Sequence, residues 1–299
     1  MLLEAFGLQR DPFLDTADPA FFYETMATAS NRRRLYECLA RGRGLAVVLG
    51  PVGAGKTSLF NAVTARLIDD PQFVVGLILD PTFDSEAQFL ETIIAALGFP
   101  AAPALAGAAA QPRHLREHLK RCLFETTATD GRQAIVLIDE AQLLPDPLLE
   151  TLRTLLNFQL DERKLLSIGL AGQAEIVQAI LRRPNLSDRV ALWLDLHPLT
   201  EPEAGGLVDH RLRCAGYVRE RSPFGQDELH DLWRRSQGLP RRLGALARES
   251  MELAVERGAR DVSRLDIEDA ARRLPPILDT GNGSLELARP WWRFWKVSQ

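Results

Sequence analysis

Apolar residues along this chain fall into two regimes. Up to about residue 196, short runs that are apolar at nearly every position recur between stretches of helical spacing, near 45–50, 73–80, 133–139, 165–171 and 189–196. A run apolar on both faces predicts a central strand of a buried parallel sheet, because the alternation is lost when both faces are covered. Five such runs separated by helical segments predict a three-layer α/β sandwich. From about Pro198 the runs stop, and 200–215, 226–236, 240–257 and 264–273 all carry helical spacing, which predicts a small all-helical unit. Residues 1–29 read as a lead-in with turns at Asp11-Pro12 and Asp18-Pro19 and an aromatic cluster, Phe21-Phe22-Tyr23. The Ala/Pro-rich stretch 98–112 reads as a loop or a weak helix, and Gly281-Asn282-Gly283-Ser284 as a linker to a distinct tail. The expected organisation is 1–197 for the lead-in and α/β domain, 198–276 for the helical domain, and 277–299 for linker and tail.

The first strand runs into Gly50-Pro51-Val52-Gly53-Ala54-Gly55-Lys56-Thr57, a G-x-x-x-x-G-K-T phosphate loop, and a helical pattern from Ser58 to Leu67 follows it. Small residues let successive backbone N–H groups curl around a β-phosphate, and the following helix presents its positive end to the anion. Lys56 is expected to reach the β- and γ-phosphates and the Thr57 hydroxyl to coordinate Mg²⁺, with Ser58 counted among the nucleotide contacts. The third strand ends in Asp139-Glu140, at the edge where ligands bind in such sheets. Asp139 is expected to hold Mg²⁺ directly or through water, and Glu140 to polarise the attacking water as general base. A plainer reading, that the two acids cap the next helix, stands beside it.

Composition narrows this picture only slightly. The formal net charge of −4 gives no global field drawing the chain to nucleic acid, although a local basic patch would survive it. Cys38, Cys122 and Cys214 are odd in number and widely spaced, so they read as small core residues in a reducing compartment. The five histidines form no ligand cluster with them. The N-terminus lacks a signal-peptide pattern, and no apolar stretch approaches the roughly 20 residues that span a bilayer. The expected place is the cytoplasm, or the cytoplasmic face of a membrane.

An α/β core followed by a helical lid resembles the AAA+ ATPases, and residues 3–275 resemble the general secretion pathway protein A (ExeA-like) family. The marks are Phe6-Gly7-Leu8 with Pro12-Phe13, Asp18-Pro19-Ala20-Phe21-Phe22-Tyr23, Asp139-Glu140-Ala141-Gln142, and Leu170-Ala171-Gly172-Gln173-Ala174-Glu175. Pro198-Leu199-Thr200, His210-Arg211-Leu212-Arg213-Cys214-Ala215-Gly216 and Gly238-Leu239-Pro240-Arg241-Arg242 complete the set. The resemblance implies Mg-ATP hydrolysis between subunits of a ring or filament of identical chains. Phe21, Phe22 and Tyr23 would lie over the adenine, or else pack the first helix onto the sheet. Gln173 would point at the γ-phosphate, or else cap a helix. Arg241, opening a lid helix, would bind the γ-phosphate across the cleft, or else stand solvated beside Arg242. Among Arg182, Arg183 and Arg189, the resemblance favours Arg189 as a finger reaching the neighbouring subunit's site. Many family members carry proline after the glutamine, where this chain has Ala174.

The tail, Leu285 to Lys296, places Trp291, Trp292 and Trp295 on one helical face, interleaved with Arg293 and Lys296. Aromatics flanked by cations suit a membrane headgroup layer or a groove on a partner protein, and less well single-stranded nucleic acid. The expected work is on an envelope- or secretion-associated partner, through that tail. The alternative is a DNA-binding regulator of transposition similar to TnsC and TniB, which needs basic residues facing the duplex. Between Pro81 and Pro112 there is no lysine or arginine, and Asp84, Glu86 and Glu91 stand there instead.

Overall fold

The structure, a computed structural model, describes residues 2–14, 19–103, 111–160, 163–219 and 221–275. Its centre is a parallel sheet of β1 (Leu45–Leu49), β2 (Phe73–Ile78), β3 (Gln133–Ile138), β6 (Leu166–Gly172) and β7 (Val190–Asp195), in the order β2-β3-β6-β1-β7. These are the five apolar runs of the sequence. Between β3 and β6, the short strands β4 (Gln159–Leu160) and β5 (Arg163–Lys164) form an antiparallel pair that the sequence pattern does not predict.

The uninterrupted runs have a direct structural cause. Leu45 and Val47 of β1, with Ala134, Val136 and Ile138 of β3, face one core; Ala46 and Val48, with Ile135 and Leu137, face another. The first core is closed by α4 (Glu86–Ala96), α5 (Pro112–Phe124), α6 (Asp146–Leu155) and α7 (Ala174–Leu181). The second is closed by α2 (Met26–Ala40) and α3 (Lys56–Ile68). Strand side chains alternate between faces, so β1, β3 and β6, covered on both, are apolar at nearly every position, whereas β2 and β7 at the edges of the sheet are only partly buried.

A third core belongs to the helices after the sheet, α9 (Glu201–Cys214), α10 (Gln226–Ser236), α11 (Pro240–Glu256) and α12 (Arg264–Arg273). Their starts are written locally. Glu203 accepts the Thr200 N–H at 2.9 Å, Ser263 and Asp266 form a capping box, and Pro240 opens α11 at a position where its missing N–H costs nothing. The lead-in, with α1 (Leu2–Phe6), buries Phe6, Leu8, Phe13 and Phe21 in this same core rather than against the sheet. Gln9 N–H donates to Ala215 O at 2.8 Å and Arg248 Nε to Asp11 Oδ2 at 2.7 Å, which fastens the lead-in to α9 and α11. Of the stretch 98–112, residues 104–110 lie outside the described residues, and Pro112 starts α5. The linker, Trp291, Trp292 and Trp295 also lie outside them.

Candidate nucleotide site

The phosphate loop leaves the C-terminal end of β1 and enters α3 at Lys56. Gly53 and Gly55 take φ of +77° and +95°, values that a side chain disfavours and that this sharp curl requires. Lys56 is buried, and its Nζ donates to Gly50 O at 2.9 Å and Pro51 O at 3.1 Å, so the ammonium lies within the curl of the loop. Burial pushes the Lys56 pKa below its ordinary value; Arg241 adds to the depression, while Glu140 and Asp139 oppose it.

Beneath the loop, Thr57 Oγ1 donates to Asp139 Oδ2 at 2.5 Å. Residues 82 apart in sequence thus bring a hydroxyl and a buried carboxylate together at the ends of neighbouring elements. Two oxygen donors of this kind fit Mg²⁺, which takes one or two protein oxygens and fills its shell with water and substrate phosphate. Among the described residues no group of three or more His, Cys, Asp or Glu has metal-binding geometry. The other Asp139 oxygen, Oδ1, accepts the Glu140 N–H at 2.9 Å. Glu140 sits in the left-handed region at φ 47° and makes no side-chain cap for the turn that follows, so the capping alternative does not hold for it.

Gln173 follows β6 at the same edge of the sheet. It occupies the N-cap position of α7 without a side-chain capping bond, and its N–H donates to Gln142 Oε1 at 3.2 Å. Gln142 Nε2 in turn donates to Glu140 Oε2 at 2.5 Å. Sequence reasoning used Gln142 only as a mark of resemblance and gave it no role; its spacing of two from Glu140 was the one available sign.

Arg241, the second residue of α11, lies over the loop. Its N–H donates to Gly53 O at 3.3 Å, and a Cβ on Gly53 would stand 3.0 Å from the Arg241 Cβ. Arg242 turns the other way, with Nη1 donating to Pro275 O at 2.6 Å. Between sheet and lid opens a cleft of about 340 Å³ bounded by Phe22 and Tyr23, by Ala54 and Ser58, and by Leu207 and Pro240. Tyr23 packs against His210 of α9 with ring centroids 5.6 Å apart, and Arg10 lies 4.3 Å over the Phe21 ring. Phe21 and Tyr23 thus pack with the helices after the sheet rather than fixing α2 to it, and all three aromatics border the cleft.

The three finger candidates separate by position. Arg183 is held within its own chain, by Asp146 at 2.8 Å and Ala179 O at 2.6 Å, and it keeps the Asp146 carboxyl below its usual range. Arg182 is exposed at the end of α7. Arg189 stands after α8 (Pro184–Ser187), where its carbonyl accepts the Leu45 N–H at 3.3 Å, at the edge of the sheet opposite the loop. Its Nε is buried without a hydrogen bond among the described residues, and its charge helps lower the pKa of Lys164, whose main cause is burial. β1 is five residues long, so roughly 16 Å separates the two edges. Arg189 is out of reach of its own loop.

Comparison with known proteins fits this geometry. Residues 39–180 match the AAA domain family. General secretion pathway protein A of Aeromonas hydrophila is 30% identical across 98% of this chain, which spans 54% of that relative's length. Cdc6p of Pyrobaculum aerophilum superposes with a TM-score of 0.65 at 16% identity, covering 85% of this chain and 70% of its own. ORC2 of Aeropyrum pernix, solved in ADPNP-ADP complexes, gives 0.58 at 15% identity, with 86% and 71% covered. The chain has the AAA+ P-loop fold of these structures, and over nearly its whole length it is similar to general secretion pathway protein A.

Proposed function

We propose that this protein hydrolyses Mg-ATP between subunits of a homo-oligomer and uses motion of the lid for conformational work on an envelope- or secretion-associated partner. The observation that carries the reading is the Thr57–Asp139 contact beneath the phosphate loop, with Glu140 beside it. Backbone N–H groups of 50–57 and the Lys56 ammonium hold the phosphates, and the cleft beside Tyr23 and Ser58 takes the base. Thr57 and Asp139 hold Mg²⁺, which when bound neutralises charge on the β- and γ-oxygens. Glu140 takes a proton from water as the water oxygen bonds to the γ-phosphorus and the β–γ bridging P–O bond breaks. The bond's electron pair leaves with ADP. Arg241 reaches the γ-phosphate from the lid, so losing that phosphate frees α11 from the loop.

A membrane-surface location rests on the tryptophan-rich tail sequence, and no helix among the described residues is long and apolar enough to cross a membrane. Turnover of the wild type and of Glu140→Gln, each alone, with anionic vesicles and with duplex DNA at fixed salt, tests the whole reading. Glu140→Gln keeps ATP binding and loses about 10²-fold or more in turnover; undiminished turnover would remove Glu140 as the base. Stimulation by vesicles supports the membrane setting, whereas stimulation by DNA alone replaces it.

A further inference from the structure

The mechanism above gives Gln142 no part, yet its amide touches the carboxylate that the mechanism uses as base and the backbone of Gln173. Glu140 adopts φ 47°, and the short turn Ala141–Leu143 follows at once. Left-handed backbone costs a non-glycine residue roughly 1–2 kcal/mol, and such strain persists only where the surroundings impose it. Here it folds the chain back so that Gln142 Nε2 donates to Glu140 Oε2 at 2.5 Å. Gln142 Oε1 accepts the Gln173 N–H at 3.2 Å. The chemistry fixes which way the amide points. Flipped, it would set its oxygen against a carboxylate and its NH₂ against an N–H, losing both bonds. The space it occupies exists because β6 ends on glycine: a Cβ on Gly172 would lie 3.0 Å from Gln142 Oε1.

We propose that Gln142 is a positioning residue for hydrolysis. Its amide holds one oxygen of the Glu140 carboxylate and leaves the other to take the water proton. It also ties that carboxylate to the backbone of Gln173, so a displacement at the γ-phosphate edge of β6 moves the base with it. The inference rests on Glu140 being the base.

The experiment compares kcat and ATP Kd of the full chain for Gln142→Met and Gln142→Glu, in the wild type and in Glu140→Gln, with the fold of each variant checked by circular dichroism. Methionine fills a similar volume and makes neither bond. Glutamate keeps an acceptor for Gln173 but cannot donate to Glu140 when ionised. Gln142→Met lowers kcat roughly 10–100-fold, the effect of one hydrogen bond to a charged group, with ATP Kd nearly unchanged. Gln142→Glu falls at least as far. In Glu140→Gln neither substitution lowers the residual rate further, because there is no carboxylate left to position. Folded variants with wild-type kcat overturn the proposal, and so does a loss that persists in Glu140→Gln, which marks a structural role. If Glu140→Gln itself turns over normally, both the base and its positioning are wrong.

Discussion

Gly53 makes clear how much of this site lies in contacts that a motif does not encode. The loop sequence alone states that a glycine is wanted for its curl, and the observed φ of +77° agrees. It does not state that the Arg241 Cβ stands 3.0 Å from where a Cβ would be, since 188 positions separate the two residues. Gly53→Ala therefore acts twice: it strains the loop and pushes α11 off it. The strain destabilises the protein by about 1–2 kcal/mol. The loop relieves part of that strain by abandoning the conformation in which its N–H groups converge, so ATP affinity drops roughly 5- to 30-fold. Urea denaturation and equilibrium binding of a fluorescent ATP analogue check the two effects separately. Wild-type affinity in a folded Gly53→Ala protein would show that the lid contact has no bearing on binding. That Thr57, Asp139 and Lys56 would come together was legible in the sequence, because the motif sets residue type at fixed spacing and the structure brings them to one edge of the sheet. Gln142 was not, because its part depends on the left-handed turn at Glu140 that brings it back.

The segments follow the same division. Strands buried on both faces announce themselves as unbroken apolar runs, which made β1, β3 and β6 legible; β2 and β7, at the edges of the sheet and only partly buried, still read as apolar runs. The β4–β5 pair was not, because two residues per strand are too few to show any period. The lead-in was visible as a punctuated segment, but nothing local says where its apolar side chains go. They go to the lid, where Phe13 is 4% exposed and meets Phe224 edge-on at 6.5 Å. The lead-in thus joins the core of the helices after the sheet at one end and borders the cleft at Tyr23. Phe13→Ala leaves a cavity between lead-in and α11 and costs roughly 3–5 kcal/mol of stability. Because the same core sets the wall of the cleft, added ATP restores more thermal stability to this variant than a substitution of equal cost on the β2 side of the sheet regains. Equal ATP-induced shifts in melting temperature would mean that the lid core and the cleft are not coupled.

The phosphate loop and Arg189 lie at opposite edges of the sheet. The phosphate loop, Asp139, Glu140 and Gln173 lie at the C-terminal edge of the sheet, whereas Arg189 and Lys164 lie at the N-terminal edge, roughly 16 Å away. On the proposal that Arg189 is the finger, its guanidinium would serve a nucleotide on another copy, and contacts of that head-to-tail kind generate rings or filaments. Separate requirements on separate chains give a decisive test. Arg189→Ala removes the finger and Lys56→Ala the phosphate grip, and each alone loses about 10³-fold or more in turnover if finger and lysine act as in related phosphoryl-transfer sites. Mixed one to one before assembly, about one interface in four pairs an intact Lys56 with an intact Arg189, so activity returns to that order of the wild-type rate. Arg183→Ala gives no such rescue, because its partners are Asp146 and Ala179 of its own chain; it loosens α7 against α6 and lowers stability instead. Recovery with Arg189→Ala and none with Arg183→Ala assigns the finger. Failure of every mixture to recover, with subunit exchange shown by a tagged copy, means that each chain completes its own site and that the edge at Arg189 has another use.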